Sequence, residues 1–170
     1  TGMCAIVGES GSGKSTVVNL LLGAYHPQQG SILVGNKPLE TLSRESYYSH
    51  ISVVSYNTYI FNETIRQNFM LAKDNLVANK DIYIFDEATS NIDIESEAII
   101  MNNIKELSKE KSVIVISHRL ANVIAADTIY YIEDGEVKEH GTHEELMNMH
   151  EGYAKLYTTQ KRLEEGYTEV

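Results

Sequence analysis

The sequence predicts an α/β domain, a mostly parallel sheet flanked by helices, with a C-terminal hairpin and further helices. Three observations carry that prediction. Short apolar runs rich in β-branched residues alternate with segments of helical periodicity, the pattern of parallel strands joined by helical crossovers. The run Met3–Val7 leads directly into Gly8-Glu9-Ser10-Gly11-Ser12-Gly13-Lys14-Ser15, a glycine-rich turn followed by helical patterning. A second apolar run, Ile82–Phe85, ends on two carboxylates, Asp86 and Glu87.

Each element follows from local chemistry. Met3–Val7 reads as a buried strand, and Ser15–Leu22 as a helix that Gly23 terminates. Ser31–Val34, the turn Gly35-Asn36 and Lys37–Leu39 read as a strand with a hairpin-type turn. Ile51–Val54 is a β-branched strand, Thr64–Phe69 a helix and Ile82–Phe85 a strand. Glu95–Leu107 is an amphipathic helix with Ile99, Ile100, Ile104 and Leu107 on its apolar face. Ser112–Ile116 is another buried strand, and Asn122–Ala126 a short helix. Thr128–Ile132 and Glu136–Lys138 flank Asp134-Gly135, a hairpin signal. Thr142 and Glu145 form a capping box that opens a helix through Met149, and Tyr153–Leu163 is the last helix.

Composition narrows the function. The 170 residues suit one domain, residues 1–170, and 42% apolar with 22% charged residues excludes a disordered or collagen-like chain. A net charge of −10 speaks against nucleic acid as a partner, because such faces need clustered Lys and Arg. It does not oppose a phosphate ligand, which backbone N–H groups, one lysine and a metal ion hold whatever the global charge. The single cysteine, Cys4, excludes an intramolecular disulfide and a multi-cysteine zinc site, and reads as a small buried hydrophobe. Apolar stretches such as Val17–Leu22 fall far short of the ~18–20 residues of a membrane span, so neither a span nor a signal peptide is read. Thr1, in place of an initiator Met, predicts a fragment or a trimmed chain.

Residues 8–15 satisfy G-x-x-x-x-G-K-[ST] in the required strand–loop–helix context. Small residues let backbone N–H groups turn inward around a phosphate chain, and the following helix points its positive end at the same anion. Lys14 reaches the β- and γ-phosphates of such a ligand, and the Ser15 hydroxyl suits Mg²⁺. The core expected is therefore that of a P-loop NTPase. Asp86, at the carboxyl end of its strand where ligands sit in open α/β sheets, suits the metal shell, usually through water. Glu87, one residue on, suits orienting or deprotonating an attacking water.

The resemblance to a family becomes specific here. Asp86-Glu87-Ala88-Thr89-Ser90-Asn91-Ile92-Asp93 resembles the Walker B and D-loop run of ABC-transporter ATPase domains, in the wording of the exporter branch. Ser117-His118-Arg119-Leu120 is similar to their switch-histidine motif. Thr64-Ile65-Arg66-Gln67-Asn68 and Gly141-Thr142-His143-Glu144-Glu145-Leu146 match exporter domains as well. The similarity covers nearly the whole chain in the family's order.

The resemblance implies an ATP-binding and hydrolysing motor that couples turnover to export across a membrane, with ATP and Mg²⁺ as cofactors. It implies that Gly8, Glu9, Ser10, Gly11, Ser12, Gly13, Lys14, Ser15 and Thr16 hold phosphates and metal, with Ser15 and Asp86 as metal residues. It implies catalytic roles for Glu87, His118 and Lys14, and a role across a dimer interface for Asp93. It implies a transmembrane partner in the same or another chain, a head-to-tail dimer driven by ATP, and a soluble chain at the cytoplasmic face of the membrane. His26, His50, His140, His143 and His150 show no ligand spacing and read as surface or structural residues.

The chain departs from the family at three places. The signature loop, Leu-Ser-Gly-Gly-Gln or a close variant, is absent, and only Met70–Asp81 separates Phe69 from Ile82 where the family carries a helical subdomain. The break falls near 73–76, from a deletion or from residues missing in a renumbered chain. Tyr56 stands at the position of the family's Gln-loop glutamine, with Asn57 beside it; a phenol is a bulkier and poorer metal or water ligand than an amide. The resemblance implies that the upstream aromatic on which the family stacks adenine would lie before Thr1. These departures predict weak Mg-nucleotide binding and slow hydrolysis by the 170-residue chain. They also keep open an alternative function, a nucleotide-binding module with little or no turnover. An unrelated P-loop enzyme such as a small-molecule kinase has no need of Ser90–Asp93 or His118.

Overall fold

The computed structural model describes residues 1–55, 80–88 and 94–166. Thr64–Phe69, Tyr56, Asp93 and the break near 73–76 lie outside the described residues.

Alternation organises the centre of the molecule. Strand β1 (Gly2–Val7) sends Met3, Ala5 and Val7 into one apolar cluster and Ile6 into another. The same split recurs on β5 (Ile82–Asp86), with Tyr83 opposite Ile84, and on β6 (Ser112–Ile116), with Val113 and Val115 opposite Ile116. Period-two burial on both sides is what a sheet covered on both faces requires. Together with β4 (Ile51–Ser55), β7 (Thr128–Glu133) and β8 (Glu136–Gly141) these strands form a six-stranded sheet in the order β4-β5-β6-β1-β7-β8. Every pairing from β4 to β7 is parallel, and β7 with β8 makes the antiparallel C-terminal hairpin. The expected fold class is the observed one.

Helix α1 (Lys14–Leu21) and α2 (Arg44–Ser49) cover one face. Val18 and Tyr47 pack there with Ile6, Ile84 and Ile132. Helix α3 (Ile94–Ser108), α4 (His143–Met149) and α5 (Gly152–Gly166) cover the other, where Ile104, Leu146 and Tyr153 meet Met3, Val113 and Ile129. Burying an Ile, Leu or Val side chain contributes about 1.5–3 kcal/mol, so these two layers hold the sheet against its helices. A separate two-stranded ribbon, β2 (Leu33–Val34) and β3 (Lys37–Pro38), turns at Gly35-Asn36 and is shorter than the pattern predicts.

Several local expectations hold and a few do not. The capping box is complete: Thr142 Oγ1 accepts from Glu145 N, and the Glu145 carboxylate accepts from Thr142 N. The short helix expected at Asn122–Ala126 is instead a 3₁₀ turn over Leu120–Val123, which buries Leu120 and Val123 in the core. Ile99, placed on the apolar face of its helix, is 63% exposed, whereas Ile104 is 4% exposed. The buried stripe follows Ile100, Ile104 and Leu107, the i, i+4, i+7 row, and Ile99 falls one position outside it. Helix α2 has no counterpart in the sequence reading; Ser43 caps it by accepting from Ser46 N. Cys4 is half-buried, and burial pushes its thiol pKa up.

Candidate active site

The parallel strands bring their carboxyl ends to one edge. Register pairs Ile6 of β1 with Ile116 of β6, and Ile116 with Asp86 of β5, so the glycine loop, the acidic pair and His118 leave the sheet side by side. Ligands gather at such an edge in open α/β sheets.

The loop folds on itself. Gly8 has φ +153°, and a Cβ there would lie 2.2 Å from the Ile132 carbonyl oxygen and 2.7 Å from Ser12 Oγ. Only glycine permits that approach. Ser12 N donates to Glu9 O at 3.2 Å, and Gly135 N donates to Ser12 O at 3.1 Å, pinning the loop to the β7–β8 turn. Gly13, at φ +107°, then opens α1, which has no side-chain cap and no acidic residue in its first turn. The positive end of the helix is left for an external anion.

Lys14 is the cation within this loop. The residue is 7% exposed, and its Nζ donates to Gly8 O at 2.8 Å and Glu9 O at 2.7 Å. Burial pulls its pKa down, while the carboxylates of Glu87 and Asp86 push the other way. An incoming phosphate therefore offers this ammonium a full negative charge in exchange for two neutral carbonyls.

The two carboxylates differ in setting. Burial raises the pKa of Asp86, Glu87 adds to the rise, and Lys14 opposes it. Glu87 adopts a left-handed backbone, φ +52°, while its N–H donates to Ile116 O at 3.0 Å. A non-glycine residue held at positive φ is uncommon and marks a conformation fixed by its surroundings. His118 Nδ1 lies 3.5 Å from Glu87 Oε1. Ser10, Gly11, Gly13, Lys14, Ser15, Thr16, Glu87 and His118 line one cleft of about 520 Å³. Of the other predicted residues, Gly8 and Ser12 are buried within the loop, Glu9 contributes its carbonyl to Lys14, and Asp86 does not line the cleft but feels the charge of Lys14.

The turn that carries His118 has partners that sequence reading missed. Arg119 donates to the Glu97 carboxylate at 2.5 Å, and Asn122 Nδ2 donates to the other Glu97 oxygen at 2.8 Å. Glu97 is 5% exposed, so the guanidinium beside it offsets a costly burial of charge. Gln160 of α5 meets the backbone on either side of Arg119. Their separation in sequence left no local signal to find them by.

Comparison with known proteins agrees with this fold. Residues 2–134 match the family model described as ABC transporter. A Haemophilus influenzae protein described as an uncharacterized ABC transporter ATP-binding protein is 36% identical, over 96% of this chain and 38% of its own length. An ATP-dependent lipid A-core flippase of Saccharophagus degradans is 34% identical, over 92% of this chain and 35% of its own. The solved structure of a bacterial Atm1-family ABC exporter with ATP bound matches with a TM-score of 0.85 at 26% identity, over 94% of this chain and 37% of that one. The chain thus spans little more than a third of the length of these proteins.

Proposed function

The chain belongs to the ABC transporter family, and from that premise we propose that it is the ATP-binding and hydrolysing motor domain of an exporter. The observation that carries the reading is the single cleft in which Lys14, Glu87 and His118 meet at the carboxyl edge of the sheet. Lys14 and the loop N–H groups hold the β- and γ-phosphates. Glu87 orients or deprotonates the attacking water, and His118 beside it contacts the γ-phosphate.

The Ser15 hydroxyl and the Asp86 carboxylate are hard oxygen donors that fit Mg²⁺. Among the described residues no group of three or more His, Cys, Asp or Glu could hold a metal ion; a Mg²⁺ shared with phosphate oxygens and water needs no such cluster. When bound, Mg²⁺ neutralises charge on the phosphates.

No helix among the described residues is long and apolar enough to cross a membrane. Coupling to export therefore rests on a transmembrane partner, in this or another chain, with the motor at the cytoplasmic face. The full site is a head-to-tail dimer in which Asp93 acts across the interface. The chain carries no Leu-Ser-Gly-Gly-Gln. The alignments with relatives run over 212 and 206 positions, longer than the 170 residues here, so each relative has residues inside the aligned region for which this chain has none. Both facts support a half-site that turns over slowly by itself. The presence of Glu87, and relatives named as ATP-dependent, favour hydrolysis over a module that only binds.

Phosphate release from Mg-ATP, measured against Glu87→Gln, tests this. Turnover falls by about 100-fold in the variant while nucleotide binding persists. Equal turnover by the two proteins sinks the role given to Glu87.

A further inference from the structure

We infer that Gln160, on the last helix, is a positioning residue for His118. Its Nε2 donates to the His118 carbonyl oxygen at 2.5 Å, and its Oε1 accepts from Leu120 N at 3.0 Å. One planar amide thus takes up the two backbone groups that a neighbouring strand would have paired, at the point where β6 has ended. Gln and Asn carry a donor and an acceptor side by side on one plane whatever the pH. Arg119, between the two bridged residues, is anchored the other way, to Glu97 of α3. Leu120 is 1% exposed and locked in the core. Three consecutive residues are therefore fixed from two helices and the core. What stays half-exposed is the imidazole of His118, 3.5 Å from Glu87.

The inference rests on the reading of this cleft as a nucleotide site. Its physical content is orientation: with the amide removed, the His118 carbonyl loses its donor and the His118–Arg119 peptide keeps only the bond from Arg119 N to Ser117 Oγ at 3.0 Å, so the ring is held less firmly in its place opposite the phosphates. A displacement of about 1 Å in a reacting group costs up to ~100-fold in rate. A purely structural staple would act differently, loosening the whole edge of the sheet and weakening nucleotide binding in step.

The test uses the full chain with ¹⁵N-labelled histidine and backbone amides, titrated with Mg²⁺ and a non-hydrolysable ATP analogue. Wild type is compared with Gln160→Ala, with the isosteric Gln160→Glu, which keeps the acceptor for Leu120 N but not the donor for His118 O, and with the exposed neighbour Thr159→Ala. In wild type and Thr159→Ala, the Gly13 and Lys14 amides and the His118 ring all respond. In both Gln160 variants the amides respond with a Kd within about twofold of wild type, while the His118 ring shift falls by at least about half; kcat for ATP drops about tenfold at constant KM. A His118 ring that responds fully in both variants overturns the inference and leaves the nucleotide site standing. So does an amide response that weakens in proportion to that of the ring. Silent Gly13 and Lys14 amides in wild type overturn the nucleotide reading itself, and this inference with it.

Discussion

The loop that carries Lys14 and the turn that carries His118 face each other across one cleft, yet they are held by opposite means. The loop holds its lysine by itself, through backbone carbonyls within six residues and a left-handed glycine at the mouth of α1. Its ties to the rest of the chain are to backbone alone, Gly135 N on Ser12 O and the close approach of Gly8 to the Ile132 carbonyl. The turn is held by others: Glu97 and Gln160 reach it from helices 22 and 42 residues away in sequence. The loop's geometry asks for the right residue types in a row and, from the β7–β8 hairpin, for backbone alone. Borrowed geometry needs the whole α-helical face of the sheet to be assembled first.

Substitutions can break one region without the other. The largest effect is expected at Gly8→Ala, where the added Cβ meets the Ile132 carbonyl oxygen at 2.2 Å with φ at +153°. The backbone must move, so unfolding free energy falls by about 3 kcal/mol or more in denaturant titration, and nucleotide binding goes with it. Next comes Glu97→Ala, which leaves the Arg119 guanidinium and the Asn122 amide without their shared acceptor. Arg119 is one-third exposed, so water recovers part of the loss, and the expected cost is about 2 kcal/mol. Here Mg-ATP affinity stays near wild type while the His118 ring resonance changes. An equal loss of affinity in both variants would erase the distinction between the two regions.

Asp127→Asn, at the amino end of β1 and far from the cleft, gives the smallest effect. The Asp127 carboxylate accepts from Met3 N at 2.7 Å and Lys105 Nζ at 2.9 Å. The Met3 amide, then the Lys105 ammonium, hold its pKa below the ordinary carboxylate range. A folded-state pKa below the unfolded one means that the stabilisation is full above the unfolded value of about 4 and is lost as pH falls through the folded value. The carboxylate is more than half exposed, so the advantage of wild type over Asp127→Asn is about 1 kcal/mol at neutral pH. Thermal melts from pH 7 down to pH 3 should show it shrink, with both sides of the cleft undisturbed throughout.

The same division explains what the sequence revealed. The strand before the loop, the loop itself and the carboxylates after Phe85 were legible because each is a local pattern with a local cause. The capping box at Thr142 and Glu145 was legible for the same reason. Helix α2 was not: it is six residues of weak periodicity, stabilised by Tyr47 and Tyr48 hydroxyls that donate to the last carbonyls of α1, at Leu21 and Leu22. The turn after His118 read as a helix that starts two residues too late, because burial of Leu120 and Val123 decides its start and burial there depends on α5. Glu97 and Gln160 drew no reading at all, since nothing within several residues of either points to the partner.

The central claim is that the strand-end loop around Lys14 is a nucleotide site formed by this chain. Calorimetric titration of the chain and of Lys14→Ala with Mg-ATP tests it most directly. Saturable binding by wild type, weakened about 100-fold in the variant with no loss of folded structure, is the predicted result. Equal affinity in the two proteins, or no binding in either, would contradict it.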